Sequence, residues 1–322
     1  MNSEITPGER ITLFLTRTWR WDEGDQYKID VEVRDAEVRL IVNGKFRELL
    51  IPDTVRNKSY PVSPYPEIRE CYRGDYVPAS GDEIRIEAIS AEYGEAWAET
   101  KVPYPVPIDR IEIKDASGMA DGDPTGFPAN SEQCRFDIAF KLAVYFTDPG
   151  NEANYYDLKL GSSPIVDTED SEAYFFNGWP DFSGEPLFTE HVSVLESAMA
   201  ETSGYTIFSD RQINGKSYPL RINYSSGLFY YRNPLNLQEA KEYGITFRLR
   251  HIDTTYYRNV ISIWEANDAI IGSLGGVGLA NVIFPYSNVS TGAGTVVAYA
   301  VSEKTIPLVD IVEATGIVTK SR

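Results

Sequence analysis

The sequence predicts an all-β, mostly antiparallel protein made of two β-sandwich-type domains. Three observations carry that prediction. Hydrophobic residues alternate with polar ones through most of the chain, clusters of turn residues separate the alternating runs, and a proline-rich stretch at 102–107, "VPYPVP", interrupts them a third of the way along. A length of 322 residues is enough for two domains, each with a proper core. With 42% hydrophobic and 24% charged residues, the composition is that of a globular protein.

The first domain is expected over residues 1–104 as an immunoglobulin-like or prealbumin-like sandwich. In "ERITLFLT", Ile11, Leu13 and Leu15 share one face. In "AEVRLIV", Ala36, Val38, Leu40 and Val42 point one way while Glu37 and Arg39 point the other. "DEIRIEA" repeats the pattern with Ile84 and Ile86 inward. A helix would scatter these residues around its circumference, whereas a half-buried strand sorts them. Asn43-Gly44-Lys45 lies between two apolar runs and predicts a hairpin turn.

The prolines Pro103, Pro105 and Pro107 fix φ, remove backbone donors and bias their neighbours toward extended geometry. Such a stretch suits a stiff spacer, and it marks the junction between the domains. The second, larger domain is expected over 108–322. It begins with a strand at "IDRIEI", followed by a Gly/Pro/Asp loop from Asp115 through Asp121 and Asp123. "RFDIAFKLAVYFTD" then gives the longest alternation, with Phe136, Ile138, Phe140, Leu142, Val144 and Phe146 on one face. Further strands follow at "YYDLKL", "SYPLRINY", "YGITFRLR" and "GTVVAYAV". One segment, "DTTYYRNVISIWEAN", changes period. Tyr256, Val260, Ile263 and Trp264 recur at helical spacing, with Asp253 placed as N-cap, so this domain carries one short helix.

The chemistry reads mostly as exclusions. Lys and Arg number 30 against 48 Asp and Glu, a net charge of −18, and the basic residues never cluster. Nucleic acid and anionic membrane surfaces are bound by basic patches, so neither is an expected partner. Cys71 and Cys134 have no zinc-type spacing, and the sequence leaves open whether they are two small apolar side chains or a disulfide. His191 and His251 are the only histidines. They fit neither a metal motif nor a Ser-His-Asp triad, and His251 continues an inward strand register as a structural residue. The aspartates of the 115–123 loop lack the order of a calcium loop. No cofactor, metal or catalytic residue is therefore assigned. The exception is aromatic. "YFFNGWPDF" and "GLFYYRNP" crowd rings beside Gly, Pro and Asn. Trp179, Phe182, Tyr230 and Tyr231 are the candidate contact residues for a ligand or partner, with closure of a sandwich end as the alternative.

Several segments, in order, carry a resemblance to a known family. "ITPGERITLFLTRT", "DAEVRLIVNGKFRELL" and "GDEIRIEAISAEYGEAWAETKVPYPVPIDRI" cover the first third of the chain. "FTDPGNEANYYDLKL", with its Asp-Pro and Asn-Tyr-Tyr, is the most specific, followed by "IFSDRQINGKSYPLRI", "ITFRLRHIDTTYYRNVISIW" and "YSNVSTGAGTVVAYAVS". Together they resemble the Bacteroidota lipoprotein family known as domain of unknown function four-two-four-nine. The resemblance implies a non-enzymatic outer-membrane lipoprotein, at the cell surface or periplasmic face, accessory to a TonB-dependent transporter and binding that transporter or a ligand. It also implies a precursor with a signal and a lipid-bearing cysteine upstream of Asn2. A glycan-acting hydrolase using unassigned carboxylates and an adhesin-like structural module are the alternatives.

Overall fold

A computed structural model describes residues 1–18, 31–56, 68–120, 133–150, 152–163, 176–182, 184–189, 206–232, 244–267 and 284–315. The strands in chain order are β1 (Ser3–Ile5), β2 (Thr12–Leu13), β3 (Glu37–Val42), β4 (Lys45–Arg56), β5 (Ile68–Arg73), β6 (Glu83–Ser90), β7 (Gly94–Lys101), β8 (Ile108–Ala120), β9 (Gln133–Thr147), β10 (Tyr155–Ser163), β11 (Phe176–Asp181), β12 (Ile207–Ser209), β13 (Ser217–Arg232), β14 (Gly244–Ile252) and β15 (Val296–Pro307). Among the described residues, two α-helices, α1 (Thr254–Asn267) and α2 (Leu308–Ala314), and a 3-10 turn at Pro186–Thr189 accompany them. The protein is all-β and mostly antiparallel.

The chain divides into two compact units, Met1–Pro105 with His251–Ala300, and Val106–Arg250 with Val301–Arg322. The expected continuous domain over 108–322 is thus interrupted: residues 251–300, with α1, belong to the first unit. The helix placed in the second domain from sequence lies in the first. Local periodicity identifies a strand or helix but not the core to which the chain returns. Between the two units Val102–Pro107 carries no regular structure. Val102 is buried in the core of the first unit and Val106 in that of the second.

In the first unit, six antiparallel strands run in the order β2-β5-β4-β3-β6-β7. Asn43 and Gly44, with φ of 52° and 73°, form the β3–β4 hairpin turn, whose two central residues both need positive φ. The inner face contributes Val38, Leu40, Ile84 and Ile86 to a core shared with Ile5, Val296 and Ala298 of the parallel pair β1–β15. Asp253 caps α1 as the sequence predicts, its Oδ1 accepting from the Tyr256 N–H at 2.6 Å. Its other oxygen accepts from the Ala298 N–H at 3.0 Å and from the Thr100 hydroxyl, so one carboxylate ties the helix to β15 and β7.

Asp82, behind the same hairpin, accepts from Tyr76 Oη at 2.6 Å, the Ala79 N–H at 2.8 Å and Asn43 Nδ2 at 2.9 Å. Burial pushes this carboxyl up, but the three donors outweigh burial and hold it below the ordinary carboxylate value. A depressed folded-state value stabilises the fold above the unfolded pKa, and that contribution is lost as pH falls through the folded one. Thermal unfolding should therefore lose stability below about pH 4, and Asp82→Asn should flatten that part of the profile. A profile unchanged by the substitution would refute it.

The second unit stacks the antiparallel sheet β11-β13-β9-β8 on a sheet containing β10, β12 and the adjoining parts of β14 and β15. Phe140, Leu142, Val144 and Phe146 of β9 are buried between the layers, in the alternation read from sequence. They meet Tyr156, Leu158, Phe208, Phe247 and Leu249 from the facing layer. Each fully buried side chain of this size contributes about 1.5–3 kcal/mol. β8 runs on to Ala120, so the expected loop at Asp115 is strand, with Asp115 paired to Lys141 at 3.6 Å. Asp121 and Asp123 lie outside the described residues.

Candidate functional site

The four aromatic residues selected from sequence do not form one cluster on a loop. Trp179 lies in β11 opposite Ser225, whereas Tyr230 and Tyr231 lie in β13 opposite Arg135 and Cys134 of β9. At about 3.3 Å per residue, the Trp179 and Tyr230 positions are some 15 Å apart along the sheet. The side chains of these three residues lie outside the described residues. Phe182 is buried, its ring edge-on to Phe188 at 4.8 Å, and it belongs to the core rather than to a contact face. A ring beside Pro and Asp in sequence is as well suited to closing a sandwich as to facing solvent.

A row of exposed apolar side chains lies elsewhere, on the outer face of the six-stranded sheet. Strand alternation buries Leu50, 3% exposed, and turns Leu49 and Ile51 outward. A register shift between Leu40 and Ile41 brings Phe46 opposite Ile41, onto that same outer face. Phe46 is 63%, Leu49 48% and Ile51 65% exposed. The strip follows β4 for about 15 Å, with half-buried Ile41 beside it. Its flanks are charged, and their arginines are paired with carboxylates. Arg39 pairs with Glu37 at 2.6 Å, and Arg73 pairs with Asp53 at 3.4 Å. Further across, Arg85 bonds Glu87 and Glu99, both at 2.7 Å, while its guanidinium stacks 4.0 Å above the Trp97 ring. The sequence signal for this strip was available in "RELLIPD", where Leu49, Leu50 and Ile51 are apolar in succession and so load both faces of one strand.

The remaining polar groups hold the fold together. Asp148 accepts from Tyr156 Oη at 2.5 Å and from the Gly215 N–H at 2.8 Å. Asp210 accepts from Asn154 Nδ2 at 3.3 Å and Asn214 Nδ2 at 3.1 Å. Burial, then the nearby Asp148 charge, act to raise the Asp210 carboxyl, and the bonds from Asn154 offset them only in part. These bonds lock the 148–154 turn to the 210–216 turn, and no group of three or more His, Cys, Asp or Glu side chains that could hold a metal occurs among the described residues. His251 is buried and its Nδ1 donates to the Tyr104 carbonyl at 2.8 Å, the structural role read from its register. His191 lies outside the described residues. Cys71 is a free, buried thiol; burial, then the nearby Asp53, pushes it above the ordinary thiol value, and the side chain of Cys134 lies outside the described residues.

Comparison with known proteins brings in one further fact. Residues 1–305 match the family described as Domain of unknown function (DUF4249). The chain belongs to this family. No curated protein and no solved structure matches it. The Asp-Pro and Asn-Tyr-Tyr positions of this DUF4249 chain are Asp148-Pro149 and Asn154-Tyr155-Tyr156, the residues that build the double-turn lock. The most specific stretch of the resemblance therefore has a structural task in the second unit. No described helix is long and apolar enough to cross a membrane.

Proposed function

We propose that this DUF4249 chain is the folded part of a non-enzymatic outer-membrane lipoprotein, anchored by lipid, that works as an accessory to a TonB-dependent transporter. It acts by docking on the transporter, or by presenting a ligand to it. The observation that supports docking is the row Phe46, Leu49 and Ile51, exposed on a sheet held rigid by neighbours on both sides. A contiguous apolar strip on an otherwise charged surface is characteristic of a contact surface. The net charge of −18 keeps the chain soluble and away from anionic lipid, so a protein partner suits it better than the bilayer. Trp179, Tyr230 and Tyr231 are retained as a second contact region on the other unit.

The test is binding of the purified chain to the TonB-dependent transporter encoded beside it, held in detergent. Labelling of the full-length precursor with a palmitate analogue accompanies it. Saturable binding and label in the membrane fraction are expected. Absence of both would overturn the proposal.

A further inference from the structure

In the second unit the paired turns 148–154 and 210–216 gather oxygens around two carboxamides. Gly150 and Gly215 let the turns meet: a Cβ on Gly150 would stand 3.1 Å from the Gly215 Cα, and Gly215 has a φ of 70°. Asn154 Nδ2 lies 3.0 Å from the Pro149 carbonyl, 3.2 Å from the Glu152 carbonyl and 3.3 Å from Asp210 Oδ2. Asn214 Nδ2 lies 3.3 Å from the same Glu152 carbonyl and 3.1 Å from the same Asp210 oxygen. Four of these five contacts exceed the usual N–H···O distance of about 2.9–3.0 Å. Asp148 brings a second carboxylate close to Asp210, and the two residues are 2% and 3% exposed. Among the described residues neither carboxylate has a lysine or arginine partner.

Two groups here lack compensation. Asn154 is 1% exposed, yet its Oδ1 is buried without a hydrogen-bond partner. Two neighbouring buried carboxylates without a cation are costly as well. One change removes both costs. A carboxamide can turn over within its own outline, exchanging nitrogen for oxygen. Turned over, Asn154 and Asn214 set their side-chain oxygens among those of Pro149, Glu152 and Asp210, an arrangement that only a cation in their midst stabilises. The spacing selects the ion. Oxygens bound to calcium stand roughly 3.0–3.4 Å apart, whereas the tighter octahedral shell of magnesium draws them to about 2.9 Å. The five separations here are 3.0–3.3 Å. Carboxylate, amide and main-chain oxygens, with no thiolate or imidazole, also suit calcium rather than a transition metal. We propose that a calcium ion binds here, held by Asp210, by the side-chain oxygens of Asn154 and Asn214 and by the Pro149 and Glu152 carbonyls. Asp148 adds its charge beside the site. Glu152 and Asn214 are exposed, so the ion enters from solvent.

Calorimetric titration and thermal melting of the calcium-depleted chain test this, with magnesium as the control ion. One calcium per chain should bind with a Kd of about 10⁻⁴ M, in the weaker range of protein calcium sites. At about 5 mM, calcium should raise the melting temperature by roughly 5 °C, and magnesium by less than half as much. Asp210→Asn removes the ligand charge and Asn214→Ala a ligand oxygen, and each should weaken calcium binding at least tenfold or so. Asn214 is exposed, so Asn214→Ala should melt within about 2 °C of wild type when calcium is absent, and it decides the matter alone if Asp210→Asn does not fold. No calcium-dependent shift in the wild type would overturn the proposal. So would an equal shift with magnesium, or a calcium affinity that either substitution leaves unchanged, because both mark ions gathered by the net charge of −18 rather than by this site. These outcomes leave docking at the six-stranded sheet untouched.

Discussion

Replacing Asp148 by alanine should destabilise the protein by about 3–5 kcal/mol, with loss of the paired-turn structure in the second unit. The carboxylate is 2% exposed and serves two donors on different segments. Tyr156 Oη, on a ring with 0% exposure, donates to one oxygen, and the Gly215 N–H to the other. Alanine removes both acceptors at once and opens a small void beside the Phe146–Tyr156–Phe208 ring cluster, whose centroids are 5.1–6.0 Å apart. Depriving a buried donor of its acceptor costs about 1–3 kcal/mol, more than the bond itself contributes. Asp148→Asn keeps an acceptor oxygen and should lose about half as much. Tyr156→Phe in the Asp148→Ala background should recover part of the loss, because it removes the donor that alanine deprives. Urea unfolding of the wild type and these three variants measures this. An Asp148→Ala change within about 0.5 kcal/mol of wild type, the usual range for an uninvolved surface position, would show that the lock contributes nothing.

That lock also shows how far the sequence could be read. The alternation that places Val38 and Leu40 inside with Glu37 and Arg39 outside is local, and the structure reproduces it residue by residue. The Asn43-Gly44 turn and the Asp253 cap are also local, each depending on the conformational needs of a few neighbouring residues. Asp148 meeting Gly215 is a different kind of fact: nothing in the 148–154 turn specifies which distant turn it closes on. The return of residues 251–300 to the first unit is of that kind too. β14 and β15 read as ordinary strands, and the unit each completes is decided by packing rather than by period.

Phe182 left the set of predicted contact residues for a related reason. Phe182 and Ile51 are both apolar and both next to residues that break regular structure, yet Phe182 is 8% exposed and Ile51 65%. Composition beside Gly and Pro favours turns, but it does not separate a ring that closes a core from one that faces water. Parity does separate them once a strand's pairing is known. Leu50 opposite Val38 is on the inner face, so its neighbours Leu49 and Ile51 must be on the outer one. An apolar residue at each of three successive strand positions is the one sequence pattern that forces such exposure, unless a second layer covers it.

Gly244→Ala is expected to cost about 3 kcal/mol, although it adds a single methyl group to a strand. Gly244 opens β14 as a buried residue, and a Cβ there would collide with the backbone carbonyl of Ile306 and lie 2.8 Å from Thr305 Cγ2. The side-chain contact could be relieved by a rotamer change. The carbonyl cannot move without shifting β15 itself, where Thr246 and Thr305 hydroxyls are hydrogen-bonded at 2.7 Å. Close approach of two backbones, not a left-handed φ, is thus what requires glycine at this position. The distinction is testable. A left-handed φ would be rescued by asparagine, whereas a close approach is worsened by any Cβ, so Gly244→Asn should be at least as damaging as Gly244→Ala. Adding Thr305→Ala should recover only a minor fraction, because it clears the methyl and leaves the carbonyl. For a chain of this size, a loss of about 3 kcal/mol lowers the melting temperature by roughly 6–12 °C. A Gly244→Ala protein that melts within a degree or so of wild type would mean that β14 and β15 can separate at that point without cost.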